Sequence, residues 1–245
     1  MAVARTARIV ASTPVGGRGR LLHLELQDEE PLGFTGGQYV IINTGVPRAD
    51  GKQHKRAYSI ISSDEEQRAF SLAVYRLPEG PGSCALHEAP VGAEFQFSGP
   101  WGSFLPDDAV PRRTLVVATD SGITAALGLL RGRAFAPQRE QVLLAWLSES
   151  PEAFLPLAPL RAEVEAEGGR FVHHLLAPPG HPERPEEAWA RVKDAALGHV
   201  PERIFLSGDG AVLHPLRQRL LAEGVDALAI RLESFFNNPS RKAAA

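Results

Sequence analysis

The chain is poor in sulfur and in aromatic hydroxyls, with one cysteine, one methionine and three tyrosines among its 245 residues. A lone cysteine, Cys84, excludes an intramolecular disulfide. It also excludes an iron–sulfur cluster or Cys-rich zinc site held by these residues alone, because those sites need several thiolates. The eight histidines supply no ligand pattern. His173 and His174 are adjacent on an expected strand and so face opposite sides, while His23, His54, His87, His181, His199 and His214 are scattered; no metal is expected. No apolar run approaches the roughly 20 residues needed to span a bilayer, and the N-terminal residues are too weakly apolar for a signal peptide. A cytoplasmic location without a membrane span is the expectation. A formal charge of -3 gives no bulk reason to expect nucleic acid as a partner. No internal repeat and no recognisable Ser–His–Asp order are present.

What is there follows two different patterns. Up to about Gly102 the apolar residues fall in short alternating runs: Ala7–Thr13, Arg20–Leu26, Gln38–Thr44, Ala57–Ser63, Phe70–Arg76 and Glu94–Gly99. Clusters rich in Gly, Pro and Asp separate them. Such spacing predicts an antiparallel β-barrel or sandwich, with one short helix around Cys84–Ala89. After Pro106 the runs Thr114–Thr119, Gln141–Leu147, Arg170–Leu176 and Arg203–Gly208 are almost continuously apolar, as strands covered on both faces must be. Helical stretches lie between them, at Ile123–Ala134, Pro151–Glu167, Pro185–Gly198 and His214–Gly224. That alternation predicts an α/β doubly wound parallel sheet, which binds ligands beyond the carboxyl ends of its strands. Two domains are expected, 1–107 and 108–245.

Particular residues suggest what each half binds. Arg56-Ala57-Tyr58-Ser59 stands at the start of an expected strand, and Gly80-Pro81-Gly82-Ser83 opens the short helix. An arginine fork suits phosphate oxygens, a tyrosine face stacks on a flat ring, and a serine hydroxyl reaches a ring nitrogen. Glycines at a helix start offer free N–H groups and a positive dipole end to an anion. Together they suit a ligand with a pyrophosphate and a heteroaromatic ring. Taken alone, Arg56–Ser59 reads equally well as a strand with one exposed arginine and one packed tyrosine.

The series Gln38-Tyr39-Val40, Arg56–Ser59, Gly80-x-x-Ser83 and Gly99-Pro100-Trp101-Gly102-Ser103-Phe104 resembles the ferredoxin–NADP reductase family in order and spacing. The similarity continues through Leu115–Thr124 to Glu233-Ser234-Phe235-Phe236. It implies a flavin-binding barrel, usually for FAD, joined to a domain for NADH or NADPH. By position, it implies Arg56 on the flavin pyrophosphate, with Ala57 beside it, and Tyr58 against the isoalloxazine. Ser59 would lie near the hydride-accepting nitrogen, Ala73 and Val74 along the ring, and Gly82, Ser83 and Cys84 on the pyrophosphate. Cys84 is then a helix-start residue facing phosphate, not a redox thiol. On the nucleotide side the resemblance implies Thr119, Ser121, Gly122, Thr124, Ser148, Glu149 and Gly208. Ser207 and Glu233 would stand near the hydride path, and Phe235 or Phe236 near the flavin.

Two departures bear on nucleotide binding. The family commonly carries glycine where this chain has Asp120, and proline where it has Ala125. A carboxylate about 5 Å from a phosphate costs on the order of 3 kcal/mol at an effective dielectric near 20. Alternatively, Asp120 caps the helix that follows. Where the family has Cys-Gly-Pro, this chain has Ser207-Gly208-Asp209, and Pro215 in the next helix is tolerable only in the first turn. Orientation governs hydride transfer more than any single acid or base, so serine in place of cysteine can still serve, and slower transfer rather than its loss is expected. Glu149 would repel a 2′-phosphate, which favours NADH, although Arg161 and Arg170 could fold back into range. The basic tract Arg48–Arg56 is either an ordinary hairpin tip or a docking point for an acidic carrier such as ferredoxin or flavodoxin. The residues after Phe236 form a tail that could cross the adenine end of a bound nucleotide.

The expected function is therefore a flavin-dependent oxidoreductase that moves hydride between NAD(P)H and FAD, and single electrons to or from such a carrier. The alternatives are a reductase of free flavin or quinone, an electron-transfer subunit without productive nucleotide binding, and a ligand sensor without redox activity.

Overall fold

The computed structural model describes residues 4–108, 110–150, 152, 154–198 and 201–237. Two compact units divide the chain: Met1–Pro106 with Leu127–Phe135 and Glu152–Pro156, and the remainder from Asp107 onward.

The first unit is an antiparallel sheet of six strands: β1 (Arg5–Val15), β2 (Gly19–Leu26), β3 (Tyr39–Pro47), β4 (Gln53–Ser59), β5 (Ala69–Tyr75) and β6 (Glu94–Trp101). Their spatial order is β4-β3-β6-β1-β2-β5. Ile60 bridges to Leu72 and the Ile61 amide donates to the Ser71 carbonyl, so the two outer strands meet and the sheet closes. Closure leaves few unpaired edge groups. Period-2 alternation explains the interior. Ile9, Leu22, Leu24, Val40, Ile42, Leu72 and Val74 point inward and are fully buried. The sequence places the fourth strand at Ala57–Ser63, but it runs four residues earlier. Ladder pairing with β3, from Pro47–Gln53 to Tyr39–Ser59, sets those limits. The basic tract thus splits: Arg48–Lys52 makes the hairpin tip, closed by Arg48 N–H to Lys52 O, and Gln53–Arg56 lie in β4. Buried Asp64 ties distant segments of this unit by accepting from the amides of Gly36 and Arg133. Helix α1 (Pro81–Glu88) starts with proline in its first turn, where no N–H is required.

The second unit carries β7 (Thr114–Thr119), β8 (Val142–Ser148), β9 (Arg170–Leu175), β10 (Arg203–Asp209) and β11 (Ile230–Phe236), all parallel, in the order β11-β10-β7-β8-β9. To it belong the start of α2 (Ile123–Arg131), up to Ala126, and the helices α3 (Leu157–Ala166), α4 (Arg184–Gly198) and α5 (Gly210–Ala222). Every residue of β7 is buried, as the unbroken apolar run requires of a strand covered on both sides. Leu115, Val117, Ala145, Leu147, Ile204 and Leu206 pack with α4 and α5 on one face. Alternate residues of the same strands, Val116, Leu144, Trp146 and Phe205, are buried on the other. Chain order reverses between β7 and β10, and at such a reversal the flanking loops diverge and leave a crevice at the strand ends.

Pro215 is not in the first turn. It is the sixth residue of α5, because Asp209 caps the helix and starts it at Gly210. Its ring removes the bond that a residue there would donate to the Ala211 carbonyl.

Candidate functional site

Of the residues expected around a flavin, Arg56, Ala57, Tyr58 and Ser59 lie on β4 and Gly82, Ser83 and Cys84 on α1, which packs against β3 and β4, while Ala73 and Val74 lie on β5. Tyr58 lies at the margin of the barrel core, half-buried, and burial pushes its phenol above the usual range. The charges of Arg56 and Cys84 act on that phenol, which puts the three side chains in one neighbourhood. Arg56 and Ala57 are exposed, and Ser59, two residues from Ala57 on the same strand, is buried. Among the described residues the Arg56 guanidinium makes only local hydrogen bonds, to the Lys55 carbonyl at 2.9 Å and to His54 Nδ1 at 3.5 Å, and the residue is exposed. Gly82 fits against this arginine closely: a Cβ there would lie 3.1 Å from Arg56 Cγ and 3.2 Å from Thr44 Cγ2. Thr44 is buried and donates its hydroxyl to the His54 carbonyl, bracing the strand that carries Arg56. Nothing in the sequence singled it out.

Two side chains are committed inward. Ser83 Oγ donates to the Gly80 carbonyl and accepts from the Leu77 amide, so only its backbone is available to a ligand. Val74 packs in the barrel core, and Ala73 takes the opposite face of β5. Cys84 Sγ donates to the Leu77 carbonyl at 3.3 Å. A bare glycine at the start of a helix beside an exposed arginine fits an anionic pyrophosphate, and Tyr58 offers a flat face nearby.

In the second unit Thr119, Ser121, Gly122, Ser207 and Gly208 lie at the reversal point between β7 and β10, whereas Ser148 and Glu149 lie at the end of β8. The β7 end continues through Asp120–Gly122 in a short 3₁₀ turn, and β10 ends in Ser207-Gly208-Asp209. These two ends approach so closely that a Cβ on Gly122 would come 2.1 Å from the Ser207 carbonyl oxygen. One on Gly208, where φ is +124°, would come 2.3 Å from that of Thr119. Ser207 Oγ donates to the Gly122 carbonyl at 2.9 Å and is fully buried. Thr124 Oγ1 donates to the Ser121 carbonyl. Ser148 Oγ bonds His173 Nε2 at 3.0 Å, while Glu149 is exposed just beyond β8. Glu233 pairs in register beside Ser207, and burial pushes its carboxyl up to about 7. Phe235 and Phe236 are both half-buried on the same strand.

Neither reading of Asp120 as a cap or as a bare charge holds. Thr119 occupies the cap position of the 3₁₀ turn, and Asp120 itself adopts φ of +49°. Its carboxylate forms an ion pair with Arg184, and its carbonyl accepts from Trp146 Nε1 at 2.9 Å. Asp209, by contrast, caps its own following helix, α5, accepting from the Ala211 amide at 3.0 Å. Arg184 was not legible as a site residue, since it sits among charges and prolines that read as a solvated loop. Arg161 and Arg170 do not fold back toward Glu149. Arg161 lies over Phe171 and donates to its carbonyl, and Arg170 pairs with Leu143, which puts both at the amino-terminal edge of the sheet. Of the tail after Phe236, only Asn237 is within the described residues. Among the described residues no cluster of metal-ligating side chains is present, and no helix is long and apolar enough to cross a membrane.

A closed antiparallel barrel with an arginine-and-glycine cradle, followed in the chain by a five-stranded parallel sheet with a glycine-lined reversal point, defines a two-ligand flavin and pyridine-nucleotide oxidoreductase. Residues 6–105 match the oxidoreductase FAD-binding domain family. The chain is 31% identical over 199 residues to ferredoxin–NADP reductase B of Sorangium cellulosum, covering 80% of this chain and 77% of that one. It is also 31% identical over 164 residues to NADH-cytochrome b5 reductase 1 of Pyricularia oryzae, covering 64% of this chain and 51% of that protein. The crystal structure of a ferredoxin NADP+ reductase from Neisseria gonorrhoeae with bound FAD and NADP superposes with a TM-score of 0.77. It covers 96% of this chain and 100% of that one at 20% identity. The chain belongs to the ferredoxin–NADP reductase family. It is a flavoprotein oxidoreductase that uses FAD, with NAD(P)H as its diffusible co-substrate.

Proposed function

We propose that residues 1–107 hold FAD, residues 108–245 receive NADH in preference to NADPH, and electrons leave singly for an acidic carrier protein such as ferredoxin or flavodoxin. The observation that carries the flavin assignment is the contact of Gly82 with Arg56, which sets a helix start and an exposed arginine side by side. In this reading Arg56 and the amides of Gly82, Ser83 and Cys84 bind the pyrophosphate. Ala57 leaves room beside it and Tyr58 packs on the ring system. Ser59 stands at the reactive edge, with Ala73 and the Val74 backbone along one side. FAD, when bound, supplies the centre that exchanges hydride on one side and single electrons on the other.

At the reversal point Thr119, Ser121, Gly122, Thr124 and Gly208 present backbone to the nucleotide pyrophosphate, and Ser148 stands at the next strand end. Glu149 is exposed at the end of β8, and both candidate arginines for a 2′-phosphate lie at the far edge of the sheet. That arrangement supports NADH. Glu233 orients the nicotinamide as a carboxyl able to carry a proton near neutrality, while Ser207, buried with its hydroxyl on the Gly122 carbonyl, fixes the strand end beside it. Phe235 or Phe236 covers the flavin. The hairpin tip bearing Arg48 and Lys52 supports an acidic carrier, which a phenomenon of salt-sensitive steering would accompany. Since these residues ligate no cluster, any iron–sulfur centre is expected on other residues or another chain. A cytoplasmic location is the corresponding expectation.

The test is the visible spectrum of the FAD-loaded protein under anaerobic conditions, first with NADH and then with NADPH. Bleaching at lower NADH than NADPH concentrations is expected. A yellow protein that neither nucleotide bleaches would overturn the nucleotide assignment.

A further inference from the structure

Arg184 occupies an unusual position for a charged residue. Its side chain is 2% exposed, between Asp120 at 20% and Asp209 at 0%. One terminal nitrogen pairs with the Asp120 carboxylate and the other donates to the Ala177 carbonyl. Nε stands 3.6 Å from Asp209 Oδ2, an ion pair too long for a hydrogen bond, and among the described residues neither of these buried atoms has a hydrogen-bond partner. The Glu149 amide lies close enough to the Asp120 carboxylate to favour its charged form, and Asn237 Nδ2 donates to Asp209 Oδ1. The cluster therefore gathers residues from the carboxyl ends of all five strands: Asp120 after β7, Glu149 after β8, Ala177 after β9, Asp209 ending β10 and Asn237 after β11.

Two carboxylates at the strand ends are a poor setting for an anionic ligand, and burying them unpaired is costly. Arg184 answers both problems, and it is too deeply covered to reach a phosphate itself. We propose that Arg184 is a positioning residue of the nucleotide site, acting as the internal counter-charge that lets Asp120 and Asp209 stand at the reversal point without repelling the pyrophosphate. The proposal rests on the reading that this point receives NAD(P)H. The role is electrostatic, so its signature is that removing the acids compensates for removing the arginine.

The experiment uses the FAD-loaded full chain, with ferricyanide as electron acceptor and NAD+ titrations followed by flavin absorbance. Arg184→Gln is expected to raise KM for NADH and Kd for NAD+ at least about tenfold, with kcat within about threefold and flavin content unchanged. The variant combining Arg184→Gln with Asp120→Asn and Asp209→Asn is expected to return both constants to within about threefold of the parent. Asparagine retains the cap at position 209. If Arg184→Gln alone does not fold, the neutral triple variant still decides. A triple variant that binds NAD+ normally supports the counter-charge role, and one that folds but binds at least tenfold more weakly overturns it. Unchanged constants in Arg184→Gln also overturn it. A parent protein that shows no saturable response to NADH or NAD+ fails the underlying reading instead.

Discussion

The backbone amide of Asp209 donates to Thr119 Oγ1 at 2.7 Å, fastening the end of β10 to the end of β7 where the sheet reverses its order. Both residues are fully buried. Beside this bond Gly208 passes over the Thr119 carbonyl at a distance that admits no side chain. With Ser207 Oγ on the Gly122 carbonyl as well, the strand ends are held by two hydroxyls and two glycines.

Thr119→Val keeps the shape of the side chain but leaves the Asp209 amide buried without an acceptor. An unsatisfied buried donor costs about 1–3 kcal/mol, whereas Thr119→Ser, which restores an oxygen, is expected to lose less than half as much. Urea denaturation of the two variants measures the difference. Equal losses would show that the methyl group, not the hydrogen bond, matters at this site.

Glu233 links stability to pH. Its folded-state carboxyl titrates at about 7 against an ordinary 4.5, so between those values the folded protein holds a proton that the unfolded chain releases. The unfolded state then binds fewer protons, and stability falls as pH rises from 4.5 through 7. The full effect is on the order of 3 kcal/mol. Glu233→Gln should remove that part of the slope, as read from denaturation midpoints between pH 4.5 and 8. An identical slope in the variant would show that Glu233 is ionised in the folded protein throughout that range.

Arg56→Ala is expected to weaken FAD retention about tenfold to a hundredfold, the worth of a charge-assisted hydrogen bond. Arg56→Lys keeps the charge but loses the planar fork, and should recover only part of the loss. The flavin-to-protein ratio after gel filtration reports both. Full flavin content in the alanine variant would remove Arg56 from the flavin site.

Glu149→Arg should shift coenzyme preference. Exchanging a repelling carboxylate for a guanidinium at the end of β8 is expected to raise the NADPH-to-NADH ratio of kcat/KM about tenfold or more. A ratio that does not move would place the 2′-hydroxyl end of the nucleotide away from Glu149.

Much of this architecture was legible because it depends on local pattern. Period-2 alternation in Ala7–Thr13 and Arg20–Leu26 marks strands with one wet face. The unbroken apolar run of Thr114–Thr119 marks a strand with none, and the structure buries all six of its residues. Arg56, Tyr58 and Gly82 were legible as candidates because a short motif carries them in order. Boundaries were less so. The fourth strand begins at Gln53, where pairing with Pro47 starts it, although Gln53–Arg56 is polar throughout. Pro215 sits beyond the first turn because Asp209 starts its helix early.

By itself the amino-acid order determined the sequence of strands and helices, the change from barrel to parallel sheet, and the presence of glycines where strand ends must meet. Those features follow from hydrophobic period and backbone freedom, which act over a few residues. Only the tertiary structure decided what Asp120 and Asp209 mean. Their partner Arg184 is 64 residues from Asp120 in the chain and is brought to it by the fold. The sign and strength of a buried charge depend on what lies within a few ångströms in space, and chain distance carries no information about that.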